Sequence, residues 1–96
     1  MKIGIDGYFL SQNKGAFGKT TINVINLLTD MDKEDQFYVF TDSRGASNIV
    51  KKENLNFVYL KEAGEGNFLK RRKVIERAIK EKRLLLDVFI ELYEIG

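Results

Sequence analysis

Two hydrophobic rhythms alternate along the chain. In Lys2 to Asp6, Ile3 and Ile5 flank Gly4, a short alternation that predicts a first strand. Tyr8 to Gly18 then reads as a glycine-bearing loop. From Thr21 to Met31 the apolar positions Ile22, Val24, Ile25, Leu27, Leu28 and Met31 recur at threes and fours, which places most of them on one helical face. Thr20 or Thr21 is positioned to cap that helix. Asp30 to Asp35 is a polar connection. Phe37 to Thr41, FYVFT, is nearly continuous in apolar and aromatic residues, as in a strand buried on both faces. Asp42 to Gly45 reads as a turn, Ala46 to Lys52 as a short helix and Asn56 to Leu60 as a third strand. Lys61 to Asn67 is a loop with two glycines. Phe68 to Lys82 predicts a second long helix with Val74, Ile75, Ala78 and Ile79 on its buried side, and Leu84 to Ile90, LLLDVFI, a fourth strand.

Strands alternating with helices predict an α/β fold. The expectation is a single Rossmann-like domain over residues 1–96, a parallel sheet with flanking helices and a strand order beginning 3-2-1-4. Such sheets take ligands at the carboxyl ends of their strands, where Gly7, Asp42 and Glu91 fall. Four strands make only the first half of such a sheet, and no helix follows the fourth within the sequence. An incomplete sheet is therefore expected, with apolar surface around Leu84 to Ile90 that favours self-association.

Composition narrows the chemistry. The profile, 44% hydrophobic and 31% charged over 96 residues, is that of a folded globular domain. With no Cys, thiolate nucleophiles, thiolate metal sites and disulfides are excluded. With no His, the commonest general base and metal ligand is excluded as well. Neither a metal site nor a cofactor is expected. A net charge of +2 is too small to argue for nucleic acid, and no nucleic-acid partner is expected. No apolar run approaches the ~20 residues of a membrane span, and the amino-terminal stretch is too short and polar for a signal peptide, so the expected placement is cytoplasmic.

Asn13 to Thr21 reads NKGAFGKTT, close to two phosphate-binding patterns. For G-x-x-x-x-G-K-[ST] the first glycine is replaced by Asn13. For the deviant K-G-G-x-G-K-[TS] loop of partition-type ATPases, Lys14 to Thr20 matches except at Ala16, whose Cβ stands where the loop needs glycine. There Lys19 would reach the β- and γ-phosphates and Thr20 would hold Mg²⁺. The simpler alternative is that Gly15 and Gly18 only permit a tight entry into the following helix. The dinucleotide pattern G-x-G-x-x-G is absent, which excludes a nicotinamide-type oxidoreductase.

Met1 to Asp6, Gly15 with Gly18-Lys19, Asn26-Leu27-Leu28, Asp32 with Glu34-Asp35, Phe37 to Thr41 and Asp87-Val88-Phe89 occur in the order and spacing of a known family. Over about 90 residues the chain resembles the amino-terminal part of group 1, retaining glycosyltransferases of the GT-B fold. The resemblance implies the acceptor-side domain of a two-domain enzyme that uses a nucleotide-sugar donor. It implies that the backbone at Gly15, Ala16, Phe17, Gly18 and Lys19 lies near the donor diphosphate or the acceptor. Three departures stand beside it: no E-x₇-E motif, no His, and Thr20 where the family has an aromatic residue. The nucleotide-sugar and acceptor are thus expected as partners only together with a carboxyl-terminal domain, and the chain alone is expected to be inactive, with no catalytic residue of its own.

Lys70, Arg71, Arg72, Lys73 and Arg77 give the second long helix a basic surface. Such a helix can meet a peripheral membrane surface, here the inner face. The plainer reading is a solvated face covering the sheet. Asp6 ends the first strand, where it can orient a substrate hydroxyl or anchor the chain that follows; anchoring is favoured. Glu91 and Glu94 have no evident partner in the sequence.

Overall fold

The structure, a computed structural model, describes residues 1–12, 15–60 and 68–91, with the backbone alone at 11, 12, 15–17, 68 and 69. The expected loop at 61–67, the residues Asn13 and Lys14, and Glu94 lie outside the described residues. The order is β1 (Lys2–Asp6), α1 (Tyr8–Gln12), α2 (Gly15–Met31), β2 (Gln36–Thr41), α3 (Ser43–Ala46), β3 (Leu55–Tyr59), α4 (Phe68–Glu81) and β4 (Val88–Ile90). The four strands form one parallel sheet in the order β3-β2-β1-β4, as the alternation predicts.

Each face of the sheet has its own core. Ile3, Ile5, Phe37, Val39 and Leu55 point to one face, where Leu10 of α1, Ile25 of α2 and Ile49 after α3 cover them. Phe40 and Val58 point to the other, under Ile75 and Ala78 of α4. The chain moves outward from β1 to β3 and then returns past β1 to β4. With right-handed crossovers, that reversal sends α4 to the opposite face from α2. Gly4 sits at the middle of β1, paired with Phe89 of β4. A Cβ there would lie 2.6 Å from the Phe89 ring and 2.7 Å from Leu86. The missing side chain lets Phe89 lean across β1 and meet Phe40 edge-on, with ring centroids 5.6 Å apart.

At the amino ends of the strands, the last carbonyls of α2 need acceptable donors. Asn54 Nδ2 donates to Thr29 O at 2.9 Å and to Asp32 O at 3.1 Å, and Lys52 Nζ donates to Thr29 Oγ1 at 2.9 Å and Asp30 Oδ1 at 2.8 Å. The Met1 amino group donates to Asp35 Oδ1 at 2.6 Å. That ion pair raises the amine above its ordinary value and holds Asp35 below the usual carboxylate range, while the hydrogen bond with Asp35 raises Asp32.

The elements depart from the sequence expectation in three places. The expected loop from Tyr8 to Gly18 is instead α1 followed by the first turn of α2. Asp6 Oδ1 accepts from Tyr8 N–H at 3.0 Å, Leu10 N–H donates to Gly7 O at 3.1 Å, and Leu10 is buried in the core, so a capped and anchored turn replaces the loop. Thr20 and Thr21 consequently lie inside α2 and are not its N-cap. The short helix falls at Ser43–Ala46, earlier than expected, because Asp42 caps it: Asp42 Oδ1 accepts from Gly45 N–H at 2.7 Å. The fourth strand begins at Val88, four residues after the expected Leu84. Leu84 is used by the end of α4. Leu84 N–H donates to Ile79 O at 3.0 Å, Arg83 N–H donates to Lys80 O at 3.1 Å, and Arg83 has φ 52°. This is a Schellman closure, with Leu84 packed into the same core as Ile79. Past it, Leu85 is 79% exposed and Val88 43% exposed, beside a β4 edge that no further strand covers among the described residues.

Candidate functional site

The lateral reversal of the sheet lies between β1 and β4, so the ligand-binding crevice of an open α/β sheet falls at the carboxyl ends of these strands. Asp6 closes β1 and is 3% exposed. Arg71, one turn into α4, reaches down to it and is also 3% exposed. Arg71 Nη2 donates to Asp6 Oδ1 at 2.8 Å and to Phe40 O at 3.1 Å, and Nε donates to Asp6 Oδ1 at 3.2 Å. The Tyr8 ring covers the guanidinium, with its centroid 5.3 Å from Cζ. One charged pair thereby ties together the ends of β1 and β2, the start of α1 and the start of α4.

Gly7 follows Asp6 and donates its N–H to Phe40 O at 2.9 Å. A Cβ at Gly7 would stand 2.9 Å from Val39 Cγ1 and 3.0 Å from Phe40 O, so a larger residue would push α1 off the sheet. Across the crevice, Arg72 Nη2 donates to Glu91 Oε2 at 3.1 Å. This pair is open to solvent, with Arg72 56% exposed, and joins α4 to the end of β4. The crevice therefore has a buried, internally neutralised floor and an exposed, exchangeable ion pair at its mouth.

The structure sorts the predicted residues. Asp6 anchors, as favoured. Glu91, without an evident partner in the sequence, pairs with Arg72. Asp42 is committed to capping α3. Arg71 is removed from the basic surface: it is a core residue. It occupies the position one turn before Ile75 and two before Ala78, on the buried stripe of α4, and that spacing was the signal for its burial. Lys70, Arg72, Lys73 and Arg77 remain exposed. The backbone of Gly15, Ala16, Phe17 and Gly18 forms the first turn of α2, not a loop, with α1 between it and β1. A phosphate loop of the ATPase type wraps its ligand before the helix begins at G-K-T; here the helix already begins at Gly15, three residues earlier. Gly18 is buried, and a Cβ there would come 3.4 Å from Phe9 O, an ordinary contact, so this helical position has room for Ala. Lys19 is exposed.

Among the described residues, no group of three His, Cys, Asp or Glu side chains is placed to hold a metal ion, and no helix is long and apolar enough to cross a membrane. No family model matches the chain, and no curated protein or solved structure matches it significantly.

Proposed function

We propose that this chain is the acceptor-side, amino-terminal unit of a two-domain, GT-B-type retaining glycosyltransferase, with nucleotide-sugar turnover requiring a second domain. The observation that carries the proposal is the sheet order β3-β2-β1-β4 together with the place of the family-like motifs on it. The Met1–Asp6 motif forms β1 and delivers Asp6 to the crevice. The Phe37–Thr41 motif forms β2, and Asp87-Val88-Phe89 leads into β4. On this reading the chain supplies a wall, not the reacting groups. The Asp6–Arg71 pair keeps the crevice floor rigid. Arg72 and Glu91 present one donor and one acceptor that a polar acceptor molecule can exchange with. The first-turn N–H groups of α2, at Gly15 to Gly18, and Lys19 favour an anion at that helix end.

Two measurements test the proposal. The coding sequence beyond Gly96 should encode a second Rossmann-like unit with an E-x₇-E motif; a stop codon there would count against it. Titration with a fluorescent ATP analogue and Mg²⁺ should show no micromolar binding. Binding that Lys19→Ala abolishes would replace the glycosyltransferase proposal with a phosphate-loop ATPase. Gly18→Ala separates the same alternatives by stability: as a helical residue it should tolerate Ala and gain up to about 1 kcal/mol.

A further inference from the structure

β3 lies at the edge of the sheet, far from the β1–β4 crevice. Phe37 N–H donates to Asn54 O at 2.8 Å and Leu60 N–H donates to Thr41 O at 2.9 Å. The even-numbered residues of this segment thus bond to β2. The alternation of a parallel ladder turns the amides and carbonyls of Phe57 and Tyr59 to the open side. Beside that edge, between β3 and α4, lies a cavity of about 430 Å³. Leu60, Val74 and Ala78 line it with apolar surface. Tyr59, 54% exposed, stands at its rim, and Arg77, Glu81 and Lys82 carry its charge. Along α4 and its end, the exposed Lys73, Arg77, Lys80 and Lys82 outnumber Glu76 and Glu81, which leaves this face positive.

We propose that this edge and groove bind an extended peptide segment of a partner protein. The segment adds as a fifth strand beside β3, bonding to the outward backbone groups of Phe57 and Tyr59. Its alternate apolar side chains enter the groove against α4. Its acidic side chains meet Lys82, and the Tyr59 ring packs on a cross-strand neighbour. The charge of the groove selects acidic over basic sequences. A nucleic acid or a lipid surface would use the cations but leave both the apolar floor and the open ladder unfilled. The glycosyltransferase proposal is independent of this surface, since the two occupy opposite edges of the sheet.

The test is selection of random decapeptides displayed on phage against the 96-residue chain, followed by titration of the enriched peptides as synthetic molecules. The expected result is enrichment of sequences alternating apolar and acidic residues. Tyr59→Pro removes an outward N–H while leaving the bonds to β2 in place, and should weaken binding by about tenfold or more, whereas Tyr59→Val keeps the N–H and should stay within about threefold. Lys82→Glu should weaken acidic peptides by a similar factor of about ten. Circular dichroism confirms that each variant is folded. No enrichment, enrichment of basic sequences, or equal binding by Tyr59→Pro would overturn the proposal. So would a chain that enriches no peptide yet binds phosphatidylglycerol vesicles.

Discussion

Replacing Arg71 by Met tests the buried pair at the crevice floor. Met keeps much of the length and apolar bulk of the side chain and removes the charge. Phe40 O loses the guanidinium but keeps Gly7 N–H at 2.9 Å, so the backbone remains served. The damage falls on Asp6, whose carboxylate is left in a buried place without its counter-charge. Breaking a buried pair from one side costs about 3–5 kcal/mol. A chain of this length has on the order of 5–14 kcal/mol of stability in total, so the loss is a large share. In urea, with a slope of about 1.5 kcal/mol/M, the midpoint should fall by about 2–3 M. The second arm is Asp6→Asn combined with Arg71→Met. Asn removes the charge and keeps an oxygen for the Tyr8 N–H that starts α1. The double variant should recover about half of the single loss, giving a coupling energy of at least about 1.5 kcal/mol. A loss below about 1 kcal/mol for Arg71→Met, or a double variant equal to the sum of the singles, would refute the pair as an internal tie and return Arg71 to the solvent-facing surface.

Arg83→Gly should stabilise the chain by about 0.5–1 kcal/mol, because Arg83 closes α4 with φ 52°, a conformation that glycine adopts without strain; chemical denaturation reads the gain. Thr41→Val should stabilise by about 1 kcal/mol, since the Thr41 hydroxyl is buried with no hydrogen-bond partner, and a loss would reveal one. The Met1 amine is raised above 8.0, so its pairing with Asp35 contributes fully below pH 8 and is lost as pH climbs through the raised value. The thermal midpoint should decline slightly above pH 8, and Asp35→Asn should remove that decline. At the acid end, lowered Asp35 contributes above pH 3.8 and loses its contribution as pH falls through its depressed value; raised Asp32 acts in the opposite sense. Exposed Leu27, Met31, Leu85 and Val88 should make the chain self-associate in sedimentation at high concentration, and a strictly monomeric chain would contradict this.

Hydrophobic periodicity locates the four described strands and both long helices, and their alternation taken as a Rossmann-like unit gives the observed strand order. β1 could be read to the residue because Lys2 and Asp6 frame a clean apolar alternation. What escaped the sequence was decided by groups distant along the chain. α1 looks like a loop because Tyr8 to Gln12 is short; its stability comes from the Asp6 cap and from burying Leu10 against the sheet. The start of β4 was misplaced because LLL suits a strand, yet Leu84 closes α4 and Leu85 faces solvent. By charge Arg71 belongs with its basic neighbours, whereas its position on the Ile75–Ala78 stripe places it inside. Its partner, Asp6, is 65 residues away, a pairing that no local pattern reveals.

β4 joins the sheet through three residue pairs with β1. Its lower end is stitched by Lys2 N–H donating to Asp87 Oδ2 at 2.7 Å, across a separation of 85 residues. Closing so long a loop for so short a ladder should be deferred during folding until β1, β2 and β3 are in place. The same asymmetry governs the folded chain: β4 should be the first strand to detach. Its amides should exchange with solvent deuterium well before those of β2. One wall of the crevice is therefore fixed by the Asp6–Arg71 tie, and the other breathes.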